Sequence, residues 1–354
     1  MISTYEGLKL SSLADLDNQL AVISDESDHA FADSQYGHKN LKGLKGEFMA
    51  MASRCEFLAR PKQAGSKAQG DKDQGDKTQG DKAQADRTGQ ERITQAFGRA
   101  MAEVKRIEAK YNRFSDSSVL TQINRGAGDW QAIGDETLGL LKFAEHCYRL
   151  SQGCFDVTAE PVLALWPFGV GESATPPSDS QIEMALECVG FERLIIEEQR
   201  LFLPDGMGID LGGIAKEYAA DRAIEVLRRE LPEYDLLVNL GGDMIASLGC
   251  EQPWHIGIED PHKLDTPARV VTLKSGALAT SGHSRRYLIH EGKRYGHIID
   301  PSTGYPVKGA PLSVSVFAPQ CVVAGMLATL AMLQGEGAED FLSRQGVVHH
   351  IIRG

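Results

Sequence analysis

The chain has 354 residues, 42% of them hydrophobic, enough for one large domain or two ordinary ones around a real core. Its 37 basic residues are outnumbered by 49 acidic ones, giving a formal net charge of -12. That excludes the basic face needed to neutralise DNA or RNA phosphates, so no nucleic-acid partner is expected. Six cysteines (Cys55, Cys147, Cys154, Cys188, Cys250, Cys321) are scattered singly, without zinc-site spacing or disulfide-scaffold density, and read mostly as free buried thiols. The opening "MISTYEGLKLSSLADLDNQL" has no basic start followed by an apolar run, so neither a secretory signal nor a lipoprotein anchor is expected. No run approaches the ~18 to 20 apolar residues of a membrane span. The expected location is the cytoplasm.

In chain order, residues 1–45 are polar and aperiodic and are expected as a poorly ordered extension, with one domain over 46–354. "EFMAMASRCEFLARP" has the apolar density of a strand. After it comes a near-repeat of QGDK type, an insert at 62–90 with almost nothing to bury and therefore expected as a solvated loop. Its acids alternate with Lys or Arg, which argues against a calcium-binding repeat. From Glu91, residues Ile93, Phe97, Ala100, Met101, Val104 and Ile107 fall on one helical face. Further helices are expected at 136–151, after Ser178 with Gln181 as a capping-box partner and Gly190 as the stop, and from Gly213 to Leu231. Strands follow: "DLLVNL", "WHIGIE", "RVVTLK", "ALATS", "RRYLIH" and "LSVSVFA". Two helices, 321–335 and 337–344, and the strand "VVHHIIR" close the chain. Helices early and strands late predict an α+β fold, mainly antiparallel sheet flanked by helices.

Three glycine-punctuated turns carry residues capable of chemistry. In "GIDLGGIAKEYAADRAIEVL", Asp210 ends a strand and Lys216 lies in the first turn of a helix. Exposed N–H groups there, with a lysine beside them, suit an anion such as pyrophosphate; a tight turn with surface charges is the equal alternative. In "NLGGDMIASLG", Asp243 follows a glycine pair that by itself reads as a hairpin turn. In "GHIIDPSTGYP", His297 precedes an Asp300-Pro301 turn; histidine is the usual proton carrier near neutral pH, although a lone one is more often structural. His283 and His290 lack such punctuation. Phe114, Phe155 and Trp166 are candidates for a wall against a flat ring, or simply core.

Taken in order, "FSDSSVLTQIN", "GCFDVTAEPVLALWPFG", "IDLGGIAKEYAADR", "NLGGDMIA", "ATSGHSRRY", "GHIIDPSTGYPV" and "LATLAM" resemble the FAD:protein FMN transferase (ApbE) family, over about residues 47 to 335. The resemblance implies an ApbE-like (T-fold-like) architecture. It also implies an enzyme that binds FAD as substrate, splits its pyrophosphate with Mg2+, releases AMP and attaches FMN to a Ser or Thr hydroxyl of an acceptor flavoprotein. Residue by residue, it implies FAD contacts at Met51, Phe114, Cys154, Phe155, Asp156, Asp210, Lys216 and Ile298. His297 and Asp243 are the catalytic candidates, His297 as base; Gly213, through its carbonyl, and Thr329, through its side chain, are implied metal ligands.

The chain departs from the family pattern in several places. Family members carry Ala-Asp-x-x-Ala-Thr where this chain reads Ala324-Gly325-Met326-Leu327-Ala328-Thr329, so the principal metal-binding carboxylate is replaced by Gly325, and the Mg2+ site is expected to be weakened. Ala52-Ser53 replaces Gly-Thr, and Glu217 stands where glycine is usual. These departures leave two further readings: an impaired FAD-binding paralogue acting as carrier or regulator, and an FAD pyrophosphatase giving FMN and AMP.

Overall fold

The computed structural model describes residues 44–62, 79–168 and 175–354. Most of the expected N-terminal extension and the first part of the 62–90 repeat lie outside them. The stretch expected as one strand is a hairpin. Strands β1 (Leu44–Ala50) and β2 (Ser53–Pro61) pair antiparallel around Met51 and Ala52, whose φ values are 53° and 54°. A two-residue turn with both central residues left-handed matches the twist of its flanking strands, and this splits the apolar run in two.

Helix α1 (Gln79–Tyr111) begins within the expected loop insert, ahead of Glu91. The buried stripe Ile93, Ala96, Ala100, Val104 and Ile107 anchors it. Once such a helix is nucleated, the Gln, Ala, Lys and Arg residues before it extend it at little cost. The next elements are α2 (Val119–Arg125), β3 (Trp130–Ala132), α3 (Asp135–Leu150), α4 (Glu160–Leu165) and α5 (Asp179–Leu186). The Ser178–Gln181 capping box starts α5 as expected, but the helix ends at Leu186, ahead of Gly190. Strands β4 (Ile195–Glu197) and β5 (Arg200–Phe202) join β3 in a small sheet.

The remainder is α6 (Ala215–Glu230), β6 (Tyr234–Leu240), β7 (Asp243–Ala246), β8 (Trp254–Asp260), β9 (Lys263–Leu273), β10 (Gly276–Gly282), β11 (Tyr287–His290), β12 (Lys293–Gly296), β13 (Ser313–Ala318), α7 (Cys321–Leu333), α8 (Ala338–Gln345) and β14 (His349–Ile352). The main sheet runs β1-β2-β6-β7-β10-β13-β14, each neighbouring pair antiparallel. The α+β reading therefore holds.

Strand alternation sends side chains to two different cores. Leu236, Val238, Leu240, Ala277, Ala279, Val314 and Val316 face the helical layer, where they pack with α1, α6 and α7. Leu237, Leu278 and Phe317 face the other way, against Trp254, Ile256, Ile258, Val271 and Leu273 of the β8–β9 hairpin. The small residues Ala277 and Ala279 leave room for α7 to lie close on the sheet, beside the ends of β7 and β10.

Candidate active site

The turn between β6 and β7 fixes the first candidate carboxylate. Gly241 and Gly242 have φ of 64° and 101°, and a Cβ on Gly241 would lie 2.6 Å from the Ser53 side chain. Only glycine meets both demands cheaply. The Gly242 N–H donates to Asn239 Oδ1 at 2.9 Å, and the hairpin closes with Leu240 opposite Asp243. The hairpin reading was right, and it leaves Asp243 1% exposed. Asp243 Oδ1 accepts from the Thr280 N–H at 3.2 Å, and Oδ2 faces Lys216 Nζ as an ion pair.

A second turn places Lys216. Asp210 Oδ1 accepts from the Gly212 N–H at 2.7 Å, which bends the chain into α6. Gly213 is exposed, and a Cβ there would press on the Phe155 ring at 3.3 Å. No side chain caps α6: the Ala215 N–H turns back to the Leu211 carbonyl at 2.8 Å, and Lys216 follows it in the first turn. Burial pulls the Lys216 ammonium down, but Asp243 and Glu217 outweigh it and the net shift is upward, so the lysine stays charged.

Glu217, next along α6, is buried, with Oε2 lacking any hydrogen-bond partner. Burial first, then the neighbouring Asp243, raises its pKa. One turn further on, the buried Asp221 accepts from the N–H groups of Cys321 at 2.7 Å and Val322 at 3.0 Å, capping α7 from another helix. Helix α7 in turn presents Gly325 to Glu217: a Cβ at 325 would lie 2.5 Å from Glu217 Cγ and 3.1 Å from its Oε1. Thr329, four residues on and thus on the same face, donates to Ser281 Oγ at 3.4 Å.

The base candidate lies beside this cluster. His297 Nδ1–H donates to the Arg286 carbonyl at 3.0 Å, which leaves Nε2 unprotonated in the neutral ring. Burial, then the positive charge of Arg286, with smaller contributions from His283 and Lys216, lowers its pKa to about 4. Arg286 is itself lowered by desolvation and then by Arg113, with Asp210 opposing. Arg113 pairs with Asp210 at 3.4 Å and lies over the Phe114 ring at 4.6 Å from its centroid. Phe114 is 80% exposed, an open aromatic face beside a cationic wall. Arg113, Arg286 and Glu217 went unnoticed as site residues in sequence. The two arginines are separated by about half of the chain, and no local signal joins them.

The other expected contacts divide. Met51 is held at the β1–β2 turn by its N–H, which donates to Glu108 Oε1 at 2.6 Å. The Gly241 N–H donates to Arg54 O at 3.2 Å, which ties this hairpin to the Asp243 turn. Cys154 is partly buried near Asp300 and Gln334, and burial raises its thiol pKa. Asp156 has Oδ1 accepting from Thr158 N–H and hydroxyl at 2.7 and 2.6 Å, and Oδ2 from the Phe191 N–H at 3.0 Å. Both its oxygens are thus engaged in shaping the loop that carries Phe155. The Ile298 carbonyl accepts from Val307 N–H at 3.0 Å, and the Asp300 turn holds this loop as expected. Trp166 belongs to a satellite core with Ile182, Leu288 and Ile299, its indole N–H donating to Gly304 O at 2.9 Å.

Among the described residues no group of three or more His, Cys, Asp or Glu side chains is assembled for a metal ion. What is present is a pair of buried carboxylates, Asp243 and Glu217, the latter with an orphaned oxygen, beside the hydroxyl-bearing face of α7. That donor set suits Mg2+, which takes hard oxygen ligands, keeps several waters and commonly uses only one or two protein carboxylates with substrate phosphates.

The ApbE family model matches residues 82–352. The FAD:protein FMN transferase of Vibrio cholerae is 33% identical over 247 residues, covering 67% of this chain and 72% of that one. The FAD:protein FMN transferase of Treponema pallidum is 33% identical over 245 residues, covering 62% of this chain and 66% of that one. Among solved structures, the ApbE protein of Thermotoga maritima aligns with a TM-score of 0.71 and 29% identity, over 88% of this chain and 94% of that chain.

Proposed function

Since the chain belongs to the ApbE family, we propose that it is an FAD:protein FMN transferase, moving FMN from FAD to a Ser or Thr hydroxyl of an acceptor flavoprotein and releasing AMP. One observation carries the reading: Arg286 and Lys216, in the first turn of α6, bear on a neutral His297 whose Nε2 is free to take a proton, and Arg113 lies beside Arg286. Cations hold a diphosphate by charge-assisted hydrogen bonds, and in phosphoryl transfer such positioning and charge neutralisation supply most of the catalysis.

The residues divide the work as follows. Arg113 and Arg286 orient the diphosphate, and Phe114 offers its open face to a ring. His297 accepts the acceptor hydroxyl proton while that oxygen forms a bond to the FMN phosphorus and the bond from that phosphorus to the AMP phosphate oxygen breaks. Lys216, held by Asp243, keeps positive charge near the departing AMP phosphate. A bound Mg2+ would neutralise the charge that develops on the phosphate oxygens, and Glu217, Asp243, the Thr329 hydroxyl and the Gly213 carbonyl would hold it.

No feature of this site favours the impaired carrier or the pyrophosphatase. Incubation with FAD, Mg2+ and a Ser/Thr-containing acceptor is expected to give one covalent FMN on the acceptor for each AMP released. AMP and free FMN with no acceptor labelling would instead mean hydrolysis, and bound FAD with no AMP would mean a carrier.

A further inference from the structure

The glycine at 325 and the glutamate at 217 occupy one place in the molecule. Gly325 lies on the face of α7 that also carries Thr329, and the space its missing side chain leaves is filled from α6: Glu217 Cγ, Cδ and Oε1 come within 2.5, 3.0 and 3.1 Å of where a Cβ at 325 would be. Glu217 is 8% exposed and its Oε2 has no hydrogen-bond partner. A buried carboxylate oxygen left without a donor is costly, and is ordinarily answered by a donor, a proton or a cation. The nearest ammonium, Lys216, is already engaged with Asp243. The protein thus places two carboxylates but one ammonium in a buried pocket. A side chain at 325 would collide with Glu217, and a glycine at 217 would leave Asp243 as the one carboxylate of this pocket.

We infer that Glu217 supplies, from α6, the carboxylate ligand for a divalent cation that Gly325 cannot supply from α7, so that the two positions form one exchanged pair and the metal site is relocated, not lost. Asp243 is its companion ligand. The inference rests on the transferase reading for the role of the cation, but not for its binding.

The test is Mn2+ binding to the purified full chain, read by electron paramagnetic resonance as loss of the free-ion signal, with thermal unfolding followed in the same samples. The wild type is expected to bind Mn2+ in competition with Mg2+. Glu217→Gln keeps shape and burial and is expected to lose tenfold or more in Mn2+ affinity at an unchanged unfolding temperature. Gly325→Asp alone is expected to lower the unfolding temperature, because its side chain collides with Glu217. The exchange Glu217→Gly with Gly325→Asp is expected to recover both stability and Mn2+ affinity, a non-additivity that a mere space-filling role for Glu217 does not produce in metal binding. Unchanged Mn2+ affinity in Glu217→Gln, absence of Mn2+ binding by the wild type, or an exchanged variant that folds without binding Mn2+ would overturn the inference. Metal binding that depends on Glu217 in a protein that labels no acceptor would leave the inference standing and refute the transferase reading. Acceptor labelling that survives Glu217→Gln with full metal affinity would do the reverse.

Discussion

His297 donates its Nδ1 proton to a backbone carbonyl, and burial beside Arg286 depresses its pKa to about 4. A depressed folded-state value means the neutral ring is favoured by the fold: the stability it contributes is present above the ordinary value near 6.5 and is lost as pH falls toward about 4. For the proposed catalysis the same shift keeps the candidate base unprotonated at neutral pH. The acid limb of kcat/KM is therefore expected below 6.5, with a level profile from pH 8 down through that point. A limb centred at or above 6.5 would show that His297 is not the titrating base. Ala52, in left-handed backbone at φ 54°, is a second residue whose environment predicts a measurement. Ala52→Gly relieves the Cβ strain and is expected to raise the urea midpoint by an amount equivalent to ~1 kcal/mol; an unchanged or lower midpoint would contradict the strain. Neither feature is readable from residue type alone, because both depend on where a distant carbonyl or a paired strand lies.

Helices with a sustained apolar stripe and strands bounded by Gly, Pro or charged turns were legible as elements: α3, α6, α7, β6, β10 and β13 appear close to their expected limits. The shorter pieces were not. Helices α2 and α4 span 7 and 6 residues, too few for a period to declare itself, and β12 and β5 need their partners to be recognisable as strands. The expected loop up to residue 90 failed for a different reason, since a tail of good helix formers follows the helix it adjoins. Helix α7 shows what an element owes to its neighbours. Gln320 gives it no side-chain cap, and Asp221 of α6 provides one instead. Asp221→Ala is expected to orphan two buried N–H groups and to cost ~1–3 kcal/mol for each unsatisfied group, read as a lower unfolding temperature. Because α7 carries Gly325 and Thr329, Mg2+ affinity should fall in the folded variant as well. An unfolding temperature like that of the wild type would show that water replaces the cap.

At the scale of the whole molecule, the seven-stranded sheet divides labour between its faces. One packs against α1, α6 and α7 and meets the site; the other is closed by the β8–β9 hairpin, whose Glu259 and Asp265 pair with Arg285, next to Arg286. Arg60 ties that hairpin down: it pairs with the buried Asp235 at 3.2 Å and lies over Trp254 at 4.4 Å, while Asp235 also accepts from the Glu251 N–H at 3.1 Å. Arg60→Ala would leave a buried carboxylate without its cation and is expected to cost ~3–5 kcal/mol in denaturant unfolding, with FAD affinity of the folded protein unchanged. A loss under 1 kcal/mol would mean that water reaches Asp235. The candidate site was legible in part. The glycine turns drew attention to Asp210, Lys216, Asp243 and His297 as candidates because turn chemistry is local. Arg113 and Arg286 were silent because they converge only after the first helical layer and the β11 region fold together, and Glu217 read as a departure until Gly325 was seen to face it.

These groups are expected to form a cradle for the diphosphate of FAD, and titration of the purified protein with FAD, followed by flavin fluorescence, measures that directly. Saturable binding is expected, with affinity falling tenfold or more in Arg113→Ala and in Arg286→Ala, about 1.4 kcal/mol for each lost charge-assisted contact. FAD uptake that neither substitution weakens, or no uptake by the folded wild-type protein, would contradict it.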